Sequence, residues 1–143
     1  MIWVTRARPK TDRIACPWLI RRFIDADAEV VYVPKEEVIA FAESKGARSF
    51  DAPGAEFTHR GNKCAFEVLI EDFALDADPA LVRLAKIVHA ADIDSERDTD
   101  AFGAGLLAIA EGALAIEPDD YLLLQKESFV YDSLYAWCQK NAG

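Results

Sequence analysis

Apolar positions fall at helical spacing over most of this chain and at strand-like density in two short runs. Ile2 to Thr5 reads as a strand, and Arg6 to Thr11 as a proline-containing connection with Thr11 or Asp12 as N-cap. Ile14, Trp18, Leu19 and Phe23 then recur with helical period, with Pro17 near the first turn or at a bend. Glu29 to Val33 is β-rich and runs into Pro34. Lys35 to Lys45 predicts a helix with Val38, Ile39, Phe41 and Ala42 inward and Gly46 as its C-cap. The stretch 48–63 breaks the pattern, with Pro53, Gly54 and Gly61 among polar residues, and reads as the longest loop. Asn62 is a candidate cap for a helix carrying Cys64, Phe66, Leu69 and Phe73. Asp78-Pro79 opens a further helix through Leu81, Leu84, Ile87 and Val88. After an acidic linker at 92–100, Phe102 to Ile116 predicts a helix rich in alanine and glycine, whose face permits close helix contact. Pro118-Asp119-Asp120 starts the last helix. The expected fold is mostly α (α+β): about six helices around one core, with a small two- or three-stranded edge sheet, in one domain spanning 1–143.

Composition narrows the function classes. Sixteen basic and 25 acidic residues give a net charge of −9 and a pI near 4.7, which disfavours sequence-independent nucleic-acid binding. No apolar run approaches the roughly 20 residues of a membrane span, so no membrane partner is expected. The Met1 segment does not resemble a signal peptide. Three widely spaced cysteines, Cys16, Cys64 and Cys138, fit reduced thiols and a cytoplasmic location. The positive charge is concentrated at one end. Up to Arg22 there are six Lys/Arg against one acid, leaving ten against 24 for the remainder. A cationic segment in an acidic chain faces either an anionic partner or the protein's own carboxylates.

Two constellations carry candidate chemistry. Lys10, Arg13, Arg21 and Arg22 supply charge suited to planar or tetrahedral oxyanions, beside a helix N-terminus; internal salt bridges are the competing reading. Cys16 in that setting is a candidate for a lowered thiol pKa and hence for a catalytic role, against the plainer reading of a small buried hydrophobe. The chain's two histidines each have an acid three residues away: Glu56 with His59, and His89 with Asp92, which share a face if their helix continues that far. With Glu67 nearby, these carboxylates and imidazoles form a ligand set suited to a divalent metal such as zinc, iron or manganese. Ordinary hydrogen-bonded histidines are the alternative. Nothing in the chain matches a dinucleotide fingerprint, a phosphate-binding P-loop or a nucleophile elbow.

The run Arg8 to Asp25 resembles the signature of the chromate-resistance protein family, in particular the C-terminal domain of its ChrB-type members. The resemblance continues through Phe50 to His59, Cys64 to Glu67, Ile87 to Asp92 and Tyr131 to Tyr135, and so covers nearly the whole chain. One departure is His89, where arginine is common in the family. The resemblance implies a link to chromate resistance, in which longer members act as chromate-responsive regulators; their additional N-terminal region, and with it DNA binding, does not carry over. Three functions stay open. The first is a sensing or detoxifying domain that binds a divalent metal and a small oxyanion such as chromate. The second is a metal-dependent enzyme, redox or hydrolytic, acting on an oxyanion or reactive oxygen species. The third is an accessory interaction module, and a homodimer is compatible with each. The first requires the guanidinium-rich helix and the carboxylate–imidazole loop to converge on one cavity.

Overall fold

The computed structural model describes residues 1–142. Three parallel strands, β1 (Ile2–Arg6), β2 (Glu29–Val33) and β3 (Arg48–Ser49), form a sheet in the order β2-β1-β3. Trp3 pairs with Val30 on one side and with Arg48 on the other. Parallel neighbours need crossover connections, and here helices supply them: α1 (Asp12–Leu19) between β1 and β2, and α2 (Val38–Lys45) between β2 and β3. Side chains of β1 alternate between the faces. Trp3 enters the main core with α1, whereas Val4 packs into a smaller cluster with Val38 of α2, Ala52 and Ala55.

The rest is helical: α3 (Ala65–Asp72), α4 (Pro79–Asp92), α5 (Gly103–Ile116) and α6 (Asp120–Asn141). Among the described residues, the six α-helices around a small sheet match the fold class read from the sequence. The third strand is only two residues long, too short for an alternating pattern to reveal it. No described helix is long and apolar enough to cross a membrane.

Local chemistry explains several boundaries. Pro17 sits inside α1 and has no N–H to offer the carbonyl of Arg13. That carbonyl instead accepts a 2.7 Å hydrogen bond from the Tyr32 hydroxyl of β2. Beyond Pro17 the helix widens into a π turn over Ile20–Ile24. Gly46 closes α2 at φ +62°, a conformation glycine adopts without strain. Asp78 caps α4 by accepting from the N–H groups of Ala80 and Leu81, with Pro79 in the first position, and Asp119 caps α6 in the same manner. The cap expected at Asn62 lies elsewhere. Cys64 is the N-cap residue of α3, its own N–H donating to the Glu67 carboxylate. A carboxylate from another element completes the cap.

Arg8 ties the β1–α1 connection to the junction of α5 and α6. Its guanidinium donates to the carbonyls of Leu114, Glu117 and Pro118 at the end of α5 and pairs with Asp120 at 2.9 Å. Cations at a helix C-terminus are favoured by its unpaired carbonyls. This arginine therefore holds structure rather than facing a ligand.

Candidate metal and oxyanion site

The carboxyl ends of β1 and β3, the start of α1 and the end of α4 meet at one place. Ligands in open parallel sheets bind at such strand ends. Asp12, the first residue of α1, is fully buried, and its carboxylate accepts from the N–H groups of Ala65 (2.8 Å) and Phe66 (3.2 Å). It thereby caps α3 from outside. Asp51 follows β3 at φ +46°, a left-handed conformation that aspartate tolerates better than most residues. The hydrogen bonds Asp51 N–H to Phe57 and Phe57 N–H to Ser49 fold the loop back, so that His59 returns over the site. Asp92 closes α4, where the helix's partial negative charge disfavours an acid.

His59 Nε2 lies 3.1 Å from Asp92 Oδ2, and its Nδ1 lies 3.6 Å from Asp51 Oδ1. One ligand atom each from Asp12, His59 and Asp92 fall within 4.8 Å of one another. Burial pushes the Asp12 carboxyl well above the usual carboxylate range, and the charges of Asp92 and Asp51 push it further against the pull of its two backbone donors. Burial and then Asp92 raise Asp51 too, while Arg13, His59 and Arg6 oppose the shift. Arg13 donates to Asp51 at 3.4 Å and to the carbonyl of Arg8 at 3.1 Å. Arg6 lines an adjoining cleft of about 190 Å³ with Asp51, Thr58 and His59. The Nε atoms of both Arg6 and Arg13 are buried without a hydrogen-bond partner.

The sequence-level candidates separate around this place. His59, Asp92 and Arg13 come together. Glu56 does not join them, because its carboxylate forms a fork with Arg48, which itself stacks over Trp3, Phe57 and Phe73. Glu67 turns to His89, whose Nδ1 is 2.6 Å from Glu67 Oε1; with Glu96, Lys86 and Thr99 these residues line a second cleft of about 390 Å³. Neither histidine keeps the partner expected from its spacing. Each pairs with an acid distant in sequence, not with the one three residues away, because the 51–59 loop and α4 present those neighbours in different directions.

The arginine block also diverges. Arg21 donates to the carbonyl of Ala28, and Arg22 pairs with Asp132 at 3.0 Å while stacking on Tyr135. Lys10 is half-buried in the β1–α1 connection. Cys16 corrects the expectation of a lowered thiol pKa: it is fully buried, and burial followed by the Asp12 charge raises the thiol well above its ordinary value. Arg8, Arg13, Arg21 and Arg22 are engaged elsewhere, with Asp120, Asp51, the Ala28 carbonyl and Asp132. Asp12, read from the sequence only as a candidate cap, and Asp51 and Arg6 were not among the site residues expected. Their common signal is position, each lying at a strand's C-terminal end or at the helix start that follows one.

Comparison with known proteins agrees with the resemblance drawn above. Residues 3–138 match the family model described as ChrB, C-terminal domain. Protein ChrB of Cupriavidus metallidurans is 41% identical over 133 residues, covering 93% of this chain and 39% of that protein. The chain therefore spans well under half the length of this relative. No solved structure matches it. With the match running from β1 to the last turns of α6, the chain belongs to the family of the ChrB C-terminal domain.

Proposed function

We propose that this domain serves chromate resistance by binding a divalent cation at Asp12, His59 and Asp92, with Asp51 alongside and Arg6 and Arg13 placed to receive an oxyanion of the chromate or sulfate type. The observation that carries the reading is the convergence of three acids and one imidazole from α1, the 51–59 loop and α4, with Asp12 and Asp51 buried beneath an exposed His59. Like charges gathered there cost stability unless a proton or a cation neutralises them. A set dominated by carboxylates, with one imidazole, suits manganese or iron better than thiophilic zinc centres. Guanidinium groups such as those of Arg6 and Arg13 match tetrahedral oxyanions in shape and charge.

The reading is one of binding, in sensing or detoxification, and assigns no turnover to Cys16, whose sulfur has no route to solvent. The buried reduced cysteines fit a reducing compartment such as the cytoplasm. Elemental analysis of untagged protein, followed by calorimetric titration with Mn²⁺, Fe²⁺ and Zn²⁺, tests the metal. One cation is expected to bind near stoichiometrically, with affinity falling at least tenfold in His59→Ala. Chromate or sulfate is then expected to raise the melting temperature of the metal-loaded protein, but not that of Arg6→Ala. Metal-free native protein whose melting temperature responds to none of these cations would refute the assignment.

A further inference from the structure

Helix α5 is the most apolar α-helix of the molecule. Of its fourteen residues only Gly103, Leu106 and Ala110 are buried, yet Glu111 is its single charged residue. A helix apolar on nearly every side belongs in an interior or against a partner. Both α5 and α6 pack on α4, leaving a groove between them lined by Phe102, Gly105, Leu106, Ile109, Val130 and Leu134. Phe102 and Trp137 close one end of it, their rings stacked edge to face at 5.0 Å.

The glycines add a second observation. A Cβ on Gly103 would lie 2.5 Å from Ala90 Cβ, so close packing of α5 on α4 explains that glycine. Gly105 and Gly112 have nothing within 4 Å of where a Cβ would stand. Each weakens the helix relative to alanine with no compensation inside this chain. They alternate with isoleucines along one stripe, Gly105, Ile109, Gly112 and Ile116, spaced by four, three and four residues. Such a stripe is complementary to itself: run antiparallel against its own copy, the isoleucines of one helix meet the glycines of the other.

Exposed area points the same way. Phe102 and Trp137 are 43% and 38% exposed, and Phe129, one turn before Ser133 at the rim of this face, is 75% exposed; at roughly 200 Å² per aromatic side chain these amount to about 300 Å². Ile109 and Ile116, at 48% and 85%, add roughly 100 Å² more. Five side chains alone thus fall within the about 300–600 Å² of the largest apolar patch on a typical monomer. Val130, Leu134 and the exposed alanines and glycines of α5 extend the face toward the about 800 Å² per partner that a stable dimer buries. In a chain of net charge −9, this face carries few charges, so two copies would meet there with little repulsion.

We infer that α5 and the adjoining edge of α6 form a twofold symmetric homodimer interface, with α5 crossing its copy through the Gly105–Ile116 stripe. A closed, self-complementary contact of this kind is the commonest route to a dimer. Sedimentation analysis across about 1–100 μM protein tests it, this being the range in which a dissociation constant of micromolar order is read. The wild type is expected to sediment as a dimer. Ile109→Glu and, separately, Gly112→Leu are expected to weaken association at least 100-fold, with helical circular dichroism unchanged, since both positions are open in the single chain. Should Ile109→Glu fail to fold, Gly112→Leu carries the test. A monomeric wild type throughout the range overturns the inference, even if the face captures some other protein. So does a dimer that both variants leave intact.

Discussion

Replacing Asp92 by asparagine keeps the size of the side chain and an acceptor for His59, but removes one negative charge from the Asp12–His59–Asp92 cluster. The ligand atoms there lie within 4.8 Å, and at an effective dielectric near 20 two charges at that separation repel by about 3 kcal/mol. Loss of part of the Asp92–His59 contact offsets this by about 1 kcal/mol or less, because His59 is half exposed. Relief at the C-terminus of α4 contributes roughly 0.3–1 kcal/mol in the variant's favour. Partial protonation of Asp12 in the wild type reduces the gain. The metal-free variant should therefore exceed the wild type by about 1–2 kcal/mol at pH 8, or roughly 3–6 °C in melting temperature. The sign varies with pH. The folded-state carboxyl of Asp12 is raised, so its proton favours folding below the ordinary value of 3.8, and that support is lost as pH climbs toward the raised value. The advantage of Asp92→Asn should vanish near pH 3 and grow above it. Chelator-treated protein, melted from pH 3 to 8 and again with Mn²⁺, provides the assay. Wild type should gain stability from the cation, by about 2.7 kcal/mol at a hundredfold excess over the dissociation constant, and the variant should gain far less. A metal-free variant less stable than wild type at pH 8, or equal metal stabilisation of both, would refute the argument and mark the cluster as a hydrogen-bonded structural network.

Further expectations rest on other parts of the molecule. Glu127 is buried on α6 with Oε2 unpartnered, and burial raises its carboxyl to about 7, so its support for folding fades between pH 4.5 and 7. Glu127→Gln should leave stability at pH 4 unchanged and increase it by about 1–2 kcal/mol at pH 8, as read by urea titration, after allowance for partial solvent screening. Gly103→Ala should destabilise by roughly 1–3 kcal/mol despite the better helix propensity of alanine, because its methyl group meets Ala90; a neutral effect in thermal unfolding would contradict the close α4–α5 contact. All three thiols are buried, and Cys16 and Cys64 are pushed upward by burial. A thiol reagent should label no cysteine in the folded protein and all three in denaturant, whereas rapid native labelling at Cys16 would restore the case for a reactive thiolate.

Where the fold was legible in the sequence, local physics was the reason. Asp78-Pro79 and Pro118-Asp119 mark helix starts because capping and proline's fixed φ act within four residues, and both helices begin there. Gly46 ends α2 for an equally local reason. The apolar spacing of α4 and the β-rich run 29–33 needed nothing from elsewhere in the chain. Even so, Asn62 is the better cap by residue type and Cys64 takes the position, because Asp12, more than fifty residues earlier, supplies the carboxylate for the N–H groups of Ala65 and Phe66.

Sequence alone settled the mostly helical class, the family and the kinds of residue available for chemistry, since periodicity, composition and ordered motifs are properties of the chain. Tertiary structure decided the pairings. It joined His59 to Asp92 and His89 to Glu67, sent Glu56 to Arg48, scattered Arg21 and Arg22, sealed Cys16, and brought Asp12 and Asp51 to the same point. Contacts between side chains tens of residues apart depend on where crossover helices deliver strand ends. No local propensity encodes that direction.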